Sequence, residues 1–321
     1  MQILELHCDP WRDHHSAETA YPSDVHIPID DLDAFSFNPD HRWVYNKFLV
    51  AQSQGVECGQ HDVEPAGYPV FCKPMMNLEG SGTSTGSHVL DNVRDYREYC
   101  RPGDFWMRLL TGDHVSTDFA VVNGKVSWCR HTLGLPDGAK FDYWVVEERV
   151  RPRLEKYCAD WIDANLPTYA GMVNLESIGG RIIGAHLRFA DQWPDLYGRK
   201  WLDALIRLYR SRTWDLVDTG RAEAYSVVLF GPHGSPYAYP HPDLLASCRA
   251  TVGISSIHLR QFDDQPLVAP AAPLCGVRLA VINSFNLDVG LRVRAAIARA
   301  FGLQDVNSAK TLQGNQRTQS P

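Results

Sequence analysis

Tyr68-Pro69-Val70-Phe71-Cys72-Lys73 reads as a strand ending in a lysine, and it leads closely into the small-residue stretch Glu79-Gly80-Ser81-Gly82-Thr83-Ser84-Thr85-Gly86-Ser87. Val70, Phe71 and Cys72 suit a pleated, buried segment, whereas a run of glycine, serine and threonine leaves backbone N–H groups accessible. A strand-end ammonium beside such a loop can hold phosphate, because the amine neutralises charge while the amides donate hydrogen bonds. Upstream, Lys47 stands beside the helically spaced stripe Val44, Phe48 and Ala51. Either lysine alone would be read as solvated; the two together, with the loop, point to ATP.

Composition bounds the alternatives. A chain of 321 residues with 44% hydrophobic and 21% charged residues can bury a substantial core, and its length suits two domains or one domain with appended lobes. A net charge of -7 and a pI near 6.0 give no electrostatic reason to expect nucleic acid or an anionic membrane as partner. The eight cysteines are scattered and form no C-x-x-C pair, which suits buried thiols in a reducing compartment. Without an apolar leader or a run of about 18 apolar residues, the chain is expected to be cytoplasmic.

Outward from the quoted stretch, strands are expected at Ile3 to Leu6 and Val25 to Ile29, and one helix from Asn38-Pro39 to a stop at Gly55. A short helix near Asn92 to Tyr99 precedes strand-rich sequence from Phe105 to Cys129, in which Asn123-Gly124 marks a tight hairpin. Val150, Leu154, Tyr157, Cys158, Trp161 and Ile162 have helical spacing. Strands over 171–177 and 181–189 turn at Gly179-Gly180, and a helix over 201–209 follows. A third unit reads as strand 224–230, helix 243–249, strands 254–261 and 277–282, and helix 287–301 capped by Asn286. From Gln304 no apolar period remains, so the tail is expected to be disordered.

In this order the features resemble the ATP-grasp superfamily: Asn46-Lys47, Pro69 to Pro74, the loop Gly80 to Gly86, Phe105 to Gly112, Asp118 with the Asn123-Gly124 hairpin, and the closing strand pair around Gly180. The resemblance covers residues 41–215, and 222–302 resembles the C-terminal lobe of its carboxylate-amine ligases. It implies an α+β ATP-grasp fold with two subdomains around a nucleotide cleft, divided as an N-terminal lobe and helix (1–60), a core (61–221), a small C-terminal α+β lobe (222–303) and the tail (304–321). It further implies ATP as cofactor, with Lys47 and Lys73 on the phosphates and Gly80, Ser81, Gly82 and Thr83 closing over them. The backbone of Met107, Arg108, Leu109 and Leu110 would read the adenine edge. Small carboxylate and amine substrates would be joined through an acyl-phosphate, with Lys73 and Arg188 as catalytic residues; a homodimer is compatible with this.

One part of the pattern departs from the family. Members hold Mg2+ with an acid on the first closing strand and Glu-x-Asn, often followed by x-Arg, on the second. Ungapped alignment on Gly180 places Asn174 at the acid, His186 at the glutamate and Arg188 at the asparagine. A shift of two places Gly184, His186 and Arg188 on Glu-x-Asn-x-Arg. Both remove carboxylate, leaving Asn174, Glu176 and His186 as the candidate metal ligands, a weak set for a hard ion. Asp191 is near enough in sequence to substitute, and Arg188 could neutralise phosphate directly. The departure supports a second reading, a nucleotide-binding relative with a regulatory or scaffolding role.

Other signals are weaker. Gly82-Thr83-Ser84-Thr85-Gly86 fits G-x-S-x-G, but a nucleophile elbow needs a strand entering the serine and a helix leaving it. His7, Cys8, His14 and His15 have no common zinc spacing. The aromatic segment Asp191 to Gly198, with Trp193 at its centre, is expected to border the acceptor pocket.

Overall fold

The computed structural model describes residues 24–76, 78, 87–137, 140–232, 237–259 and 276–303. The strand expected at Ile3 to Leu6, the His7 to His15 group, most of the glycine loop and the tail lie outside them. Val25, Ile27 and Ile29 do not form the expected strand; the segment is unpaired chain that buries these three side chains in the core. Asp30 then caps α1 (Asp31–Phe37), accepting from the Asp33 amide at 2.7 Å. The single helix expected from Asn38 is two. Pro39–Tyr45 winds as a 3-10 helix, and the chain breaks at Asn46, whose side chain accepts from the Phe48 and Leu49 amides and caps α2 (Lys47–Ser53). Lys47 is thus the first residue of a helix, and its own amide donates to the Met75 carbonyl at 2.8 Å.

A four-stranded antiparallel sheet follows from β1 (Cys58–Gln60), β2 (Val70–Pro74), β3 (His88–Leu90) and β4 (Asp104–Arg108), in the order β1-β4-β2-β3, with α3 (Val93–Tyr99) between the last two in sequence. Alternation along β2 and β4 sorts the side chains. Val70, Cys72 and Trp106 pack with Leu90 and Tyr96 on one face; Phe71, Phe105 and Met107 pack with Phe48 and Ala51 of α2 on the other. Lys73 falls on the second face by the same period.

The larger sheet has the order β11-β12-β10-β7-β6-β5-β8-β9, every pair antiparallel. Its strands are β5 (His114–Val122), β6 (Lys125–Asp137), β7 (Lys140–Val146), β8 (Gly171–Ile178), β9 (Arg181–His186), β10 (Ala224–Gly231), β11 (Ile254–Leu259) and β12 (Val277–Ser284). Asn123 and Gly124 both have positive φ, 49° and 74°, as the tight β5–β6 turn requires. One face packs on α4 (Pro152–Asn165) through Phe119, Val121, Val173, Leu175, Trp161 and Ile162. The other carries an aromatic core of Trp128, Trp144, Trp193, Tyr197 and Trp201, closed by α5 (Arg199–Ser211). The strands read as a C-terminal unit extend this same sheet, β10 pairing with β7 through Ala224↔Val146 to Val227↔Tyr143. They share a further core with α6 (Pro242–Arg249) and α7 (Leu287–Ala300). Among the described residues no helix is long and apolar enough to cross a membrane.

The two sheets meet where the segment after β4 passes the β8–β9 turn. Gly179, at φ 56°, donates its amide to the Asp113 carbonyl at 3.1 Å, and a Cβ on it would overlap the Thr111 carbonyl oxygen. Gly180, at φ 80°, has open space around the same position. Gly179→Ala is therefore expected to cost roughly 1–3 kcal/mol and more than Gly180→Ala, which adds only backbone strain. Urea unfolding of the two variants, read as midpoints at unchanged slope, checks this.

Candidate functional site

Cross-strand register builds the site. Ser116 pairs with Glu176 and Glu176 with Gly184, while Asp118 pairs with Asn174 and Asn174 with His186. Alternate residues share a face, so His114, Ser116, Asp118, Asn174, Glu176 and His186 form one polar patch on three adjacent strands. Arg188 follows just beyond β9.

Asp31, at the start of α1, closes one side of the patch. Its carboxylate accepts from Arg188 Nε at 2.8 Å, Arg188 Nη2 at 2.9 Å and His186 Nδ1 at 2.9 Å, with 3% of the residue exposed. Burial alone would raise its pKa; Arg188 and His186 outweigh that and hold it far below the usual carboxylate range. Burial would lower the Arg188 pKa, but Asp31 and Asp191 hold it above its ordinary value. The third guanidinium nitrogen, Nη1, donates to the Phe189 carbonyl at 3.0 Å. These bonds use three of the five guanidinium N–H donors, so one hydrogen on each of Nη1 and Nη2 is left for a further acceptor.

Lys47 and Lys73 arrive from different elements. Lys73 is only 7% exposed, and its Nζ donates to the Ile183 carbonyl on β9 at 2.8 Å, spanning from the small sheet to the large one. Burial, then the nearby charge of Lys47, push its pKa down to about 7 against the pull of Glu176. The Lys47 amine is also lowered by burial, with Glu176 and Asp31 opposing the shift. Both ammonium groups thus answer to one carboxylate. Burial would raise the Glu176 pKa, but His186, His114, Lys47 and Arg188 together bring it below its ordinary value.

The expected metal ligands are adjacent, but their chemistry does not make a protein-held magnesium site. Asn174 donates its amide to Ser116 Oγ at 2.8 Å and Asp118 Oδ1 at 2.7 Å. Asp118 is sealed in the core, also accepting from Tyr197 Oη at 2.7 Å and the Ala190 amide at 2.9 Å; burial pushes its carboxyl up to about 6 despite these donors. Asp31 is paired with Arg188. Among the described residues Glu176 and Asp191 are left near the patch: cationic side chains surround Glu176, and Asp191 lends its charge to Arg188 and lies 4.0 Å from Arg278 Nη2, whereas magnesium prefers oxygen donors with uncommitted carboxylate charge among them. The ladder pairs both Asn174 with His186 and Glu176 with Gly184, so it favours neither alignment of the second strand, and a Cβ on Gly184 would meet nothing nearer than His186 Nε2 at 3.7 Å.

The segment Met107 to Leu110, expected to read the adenine edge, spans the end of β4. Within β4, Met107 pairs with both Cys58 and Phe71, and the Arg108 amide donates to the Glu57 carbonyl at 2.8 Å. The ladder ends there, leaving Leu109 and Leu110 beyond the paired strand. Leu110 and Ile183 pack with Phe71, Met75 and Met107 in the apolar cluster beside Lys73. Gly80, Ser81, Gly82 and Thr83 lie outside the described residues. Of the segment expected to border the acceptor pocket, Asp191 and Gln192 line a small cavity with His258, Arg278 and Val281, whereas Trp193 is 4% exposed, donates to Tyr197 Oη at 2.8 Å and packs on Trp144.

No protein-family model and no curated protein matches this sequence. Solved structures do match the fold. An L-amino acid ligase from Bacillus licheniformis superposes with a TM-score of 0.57 at 10% identity, over 80% of this chain and 71% of its own. Phosphoribosylamine–glycine ligase from Thermotoga maritima gives 0.58 at 14% identity, over 89% and 85%. An N5-carboxyaminoimidazole synthase from Aspergillus clavatus, solved with ADP and 5-aminoimidazole ribonucleotide, gives 0.57 at 13% identity, over 91% and 86%. The chain has the ATP-grasp fold. Asp31, His114 and Ser116 of this patch are not marked as site residues by the sequence. Asp31 was hidden in an acidic helix start that reads as ordinary capping, and His114 in strand alternation; the Asp30-Asp31-Leu32-Asp33 run was the available signal for the first.

Because Lys73 titrates near 7 when folded and near 10.5 when unfolded, unfolding takes up a proton between those values and stability contributed through this group rises with pH across that window. Its burial cost is fully present below about 7. Lys73→Met is therefore expected to be more stable than the parent protein at pH 6, with the gap narrowing towards pH 10, as read from urea midpoints at each pH.

Proposed function

We propose that the protein is an ATP-dependent ligase that joins a carboxylate to an amine through an acyl-phosphate. The observation that carries this reading is that Lys73, from a strand end of the small sheet, reaches across to the Ile183 carbonyl of β9 at 2.8 Å, where the charges of Lys47, from a helix start, and of Glu176 both act on it, in a chain of the ATP-grasp fold. Two desolvated ammonium groups beside each other are costly in the free protein, and a bound polyphosphate would offset that cost. The apolar cluster of Met107, Leu110 and Ile183 offers faces for adenine, with backbone groups at Leu109 and Leu110 for its edge.

In this reading the substrate carboxylate oxygen bonds to the γ-phosphorus as the bond to the β,γ-bridging oxygen breaks, and ADP leaves with the electron pair. The amine nitrogen then bonds to the acyl carbon, the carbon–oxygen bond to phosphate breaks, and the amine proton passes to solvent. Lys73 and Lys47 offset charge on the transferred group, and Arg188 adds its charge from the position fixed by Asp31. A magnesium ion would enter with the nucleotide and be held by its phosphates; no step depends on one held by this chain. The scarcity of uncommitted carboxylate among the described residues, together with Gly184, favours a second reading, a nucleotide-binding protein without ligase turnover.

Thermal-shift titration with ATP, with magnesium or with EDTA, tests nucleotide binding, and ADP release across a panel of carboxylates and amines tests turnover. ATP is expected to stabilise the protein in both conditions. Lys47→Ala and Lys73→Ala should each weaken ATP about tenfold or more; unchanged affinity in both would sink the proposal. ATP stabilisation with no ADP release from any pair would favour the second reading.

Binding of ATP should also drive proton uptake by Lys73. With a free-protein pKa of about 7, apparent ATP affinity is expected to fall as pH rises above 7, by at most about tenfold per unit. Calorimetric titrations in buffers of different ionisation enthalpy would report the proton taken up.

A further inference from the structure

Beneath the sheet face opposite the nucleotide cleft lies a second cluster of polar side chains. Cys129 and His131 are alternate residues of β6 and both point towards α4, where Glu155 sits in the first turn. The Cys129 Sγ, one His131 ring nitrogen and a Glu155 carboxylate oxygen all lie within 4.8 Å of one another. His131 Nε2 is 3.1 Å from Glu155 Oε1, and its Nδ1 is 2.9 Å from Thr117 Oγ1. His131 is fully buried, whereas 29% of the Glu155 side chain is exposed, so the cluster is closed on the strand side and reaches solvent past the helix.

We propose that Cys129, His131 and Glu155 bind a zinc ion. Thiolate, imidazole and carboxylate together suit a borderline-soft divalent ion and would be a poor set for magnesium. Ligand atoms around tetrahedral zinc stand about 3.3–3.8 Å apart, given bonds of about 2.0–2.3 Å. The atoms lie within 4.8 Å of one another, and His131 Nε2 and Glu155 Oε1 already stand 3.1 Å apart, so side-chain adjustments of about 1 Å bring the set to that range. Thr117 supplies the outer contact of such a site: with Nδ1–H donating to Thr117 Oγ1, the Nε2 lone pair is directed at the metal. On binding, Cys129 loses its proton to solvent and its sulfur bonds the ion; a water from the open side takes the fourth position. The ion would pin the start of α4 to β6, on the far side of the sheet from Asp118 and Glu176, so the site is separate from the cleft and independent of the ligase reading.

The test uses the full-length protein stripped with EDTA and titrated with Zn2+ by calorimetry and with Co2+ by absorbance. One equivalent should bind, Co2+ should give a thiolate charge-transfer band in the near ultraviolet, and Zn2+ should raise the melting temperature. Cys129→Ala should abolish the band and the thermal shift. Thr117→Val should weaken zinc by roughly 10–100-fold, as loss of an outer partner does. No metal bound by the parent protein, or a cobalt band that survives Cys129→Ala because another thiol supplies it, overturns the proposal. Should Cys129→Ala fail to fold, Glu155→Gln on the part-exposed helix face provides the same decision: zinc affinity must fall at least tenfold, and undiminished affinity overturns the site.

Discussion

Lys73 brings its amine into a space between two sheets where burial works against its charge, and the fold holds it there through one hydrogen bond to the Ile183 carbonyl. Much of the local architecture is arranged around that side chain. The β2 alternation turns it towards the larger sheet, Phe105 lies beneath it, and Pro74 with Met75 carries the chain on to the amide of Lys47. A second ammonium group nearby makes the charged state costlier still. Such an arrangement is expensive in a resting protein and is better accounted for by an anionic ligand than by stability, since an apolar side chain in the same place would avoid the cost.

The opposing side of the cleft is held by a different balance. Asp31 comes from the first described helix and reaches residues more than 150 positions later, where Arg188 grips it with two nitrogens and His186 with one. Bidentate pairing of this kind fixes orientation as well as charge. It ties the N-terminal segment to the end of β9, and it sets the positive charge of Arg188 at the margin of the patch rather than at its centre. Asp118, Asn174 and Tyr197 form a second internal network directly behind Glu176. The carboxylate facing the cleft is thus supported by residues whose own hydrogen bonds are satisfied within the protein.

Most of this architecture was legible from period and punctuation. The strand ending at Lys73, the Asn123-Gly124 hairpin, the helix beneath β5 and β8 and the Asn286-capped last helix all depend on local rules that tertiary contacts reinforced. Failures came where distant partners decide. Val25 to Ile29 has strand alternation and buries it, but no edge is presented to the segment for pairing. The stop at Asn46 competes with a continuous helical stripe, and a side-chain cap wins. Trp193 was assigned to a pocket by its place after the polar strand, yet its indole finds Tyr197 and Trp144 in the core. Asp31 could not be matched to Arg188 by any local rule.

The position of Gly184 connects these strands of argument. A glycine in mid-strand contributes no packing and weakens pairing, so its presence opposite Glu176 calls for a local reason. Its missing side chain leaves space beside His186 Nε2. A carboxylate there would add a second negative charge next to Glu176, and the existing cations, Lys47, His186 and Arg188, would then be drawn to it. Instead, with Asp31 neutralised by Arg188, Asp191 beside Arg188 and Arg278, and Asp118 sealed behind Asn174, Glu176 is the carboxylate set against the two lysines among the described residues. The polarity of the site therefore suits a triphosphate more closely than a cluster of bare metal ions, and under the proposed function charge compensation of the nucleotide would fall first to side chains.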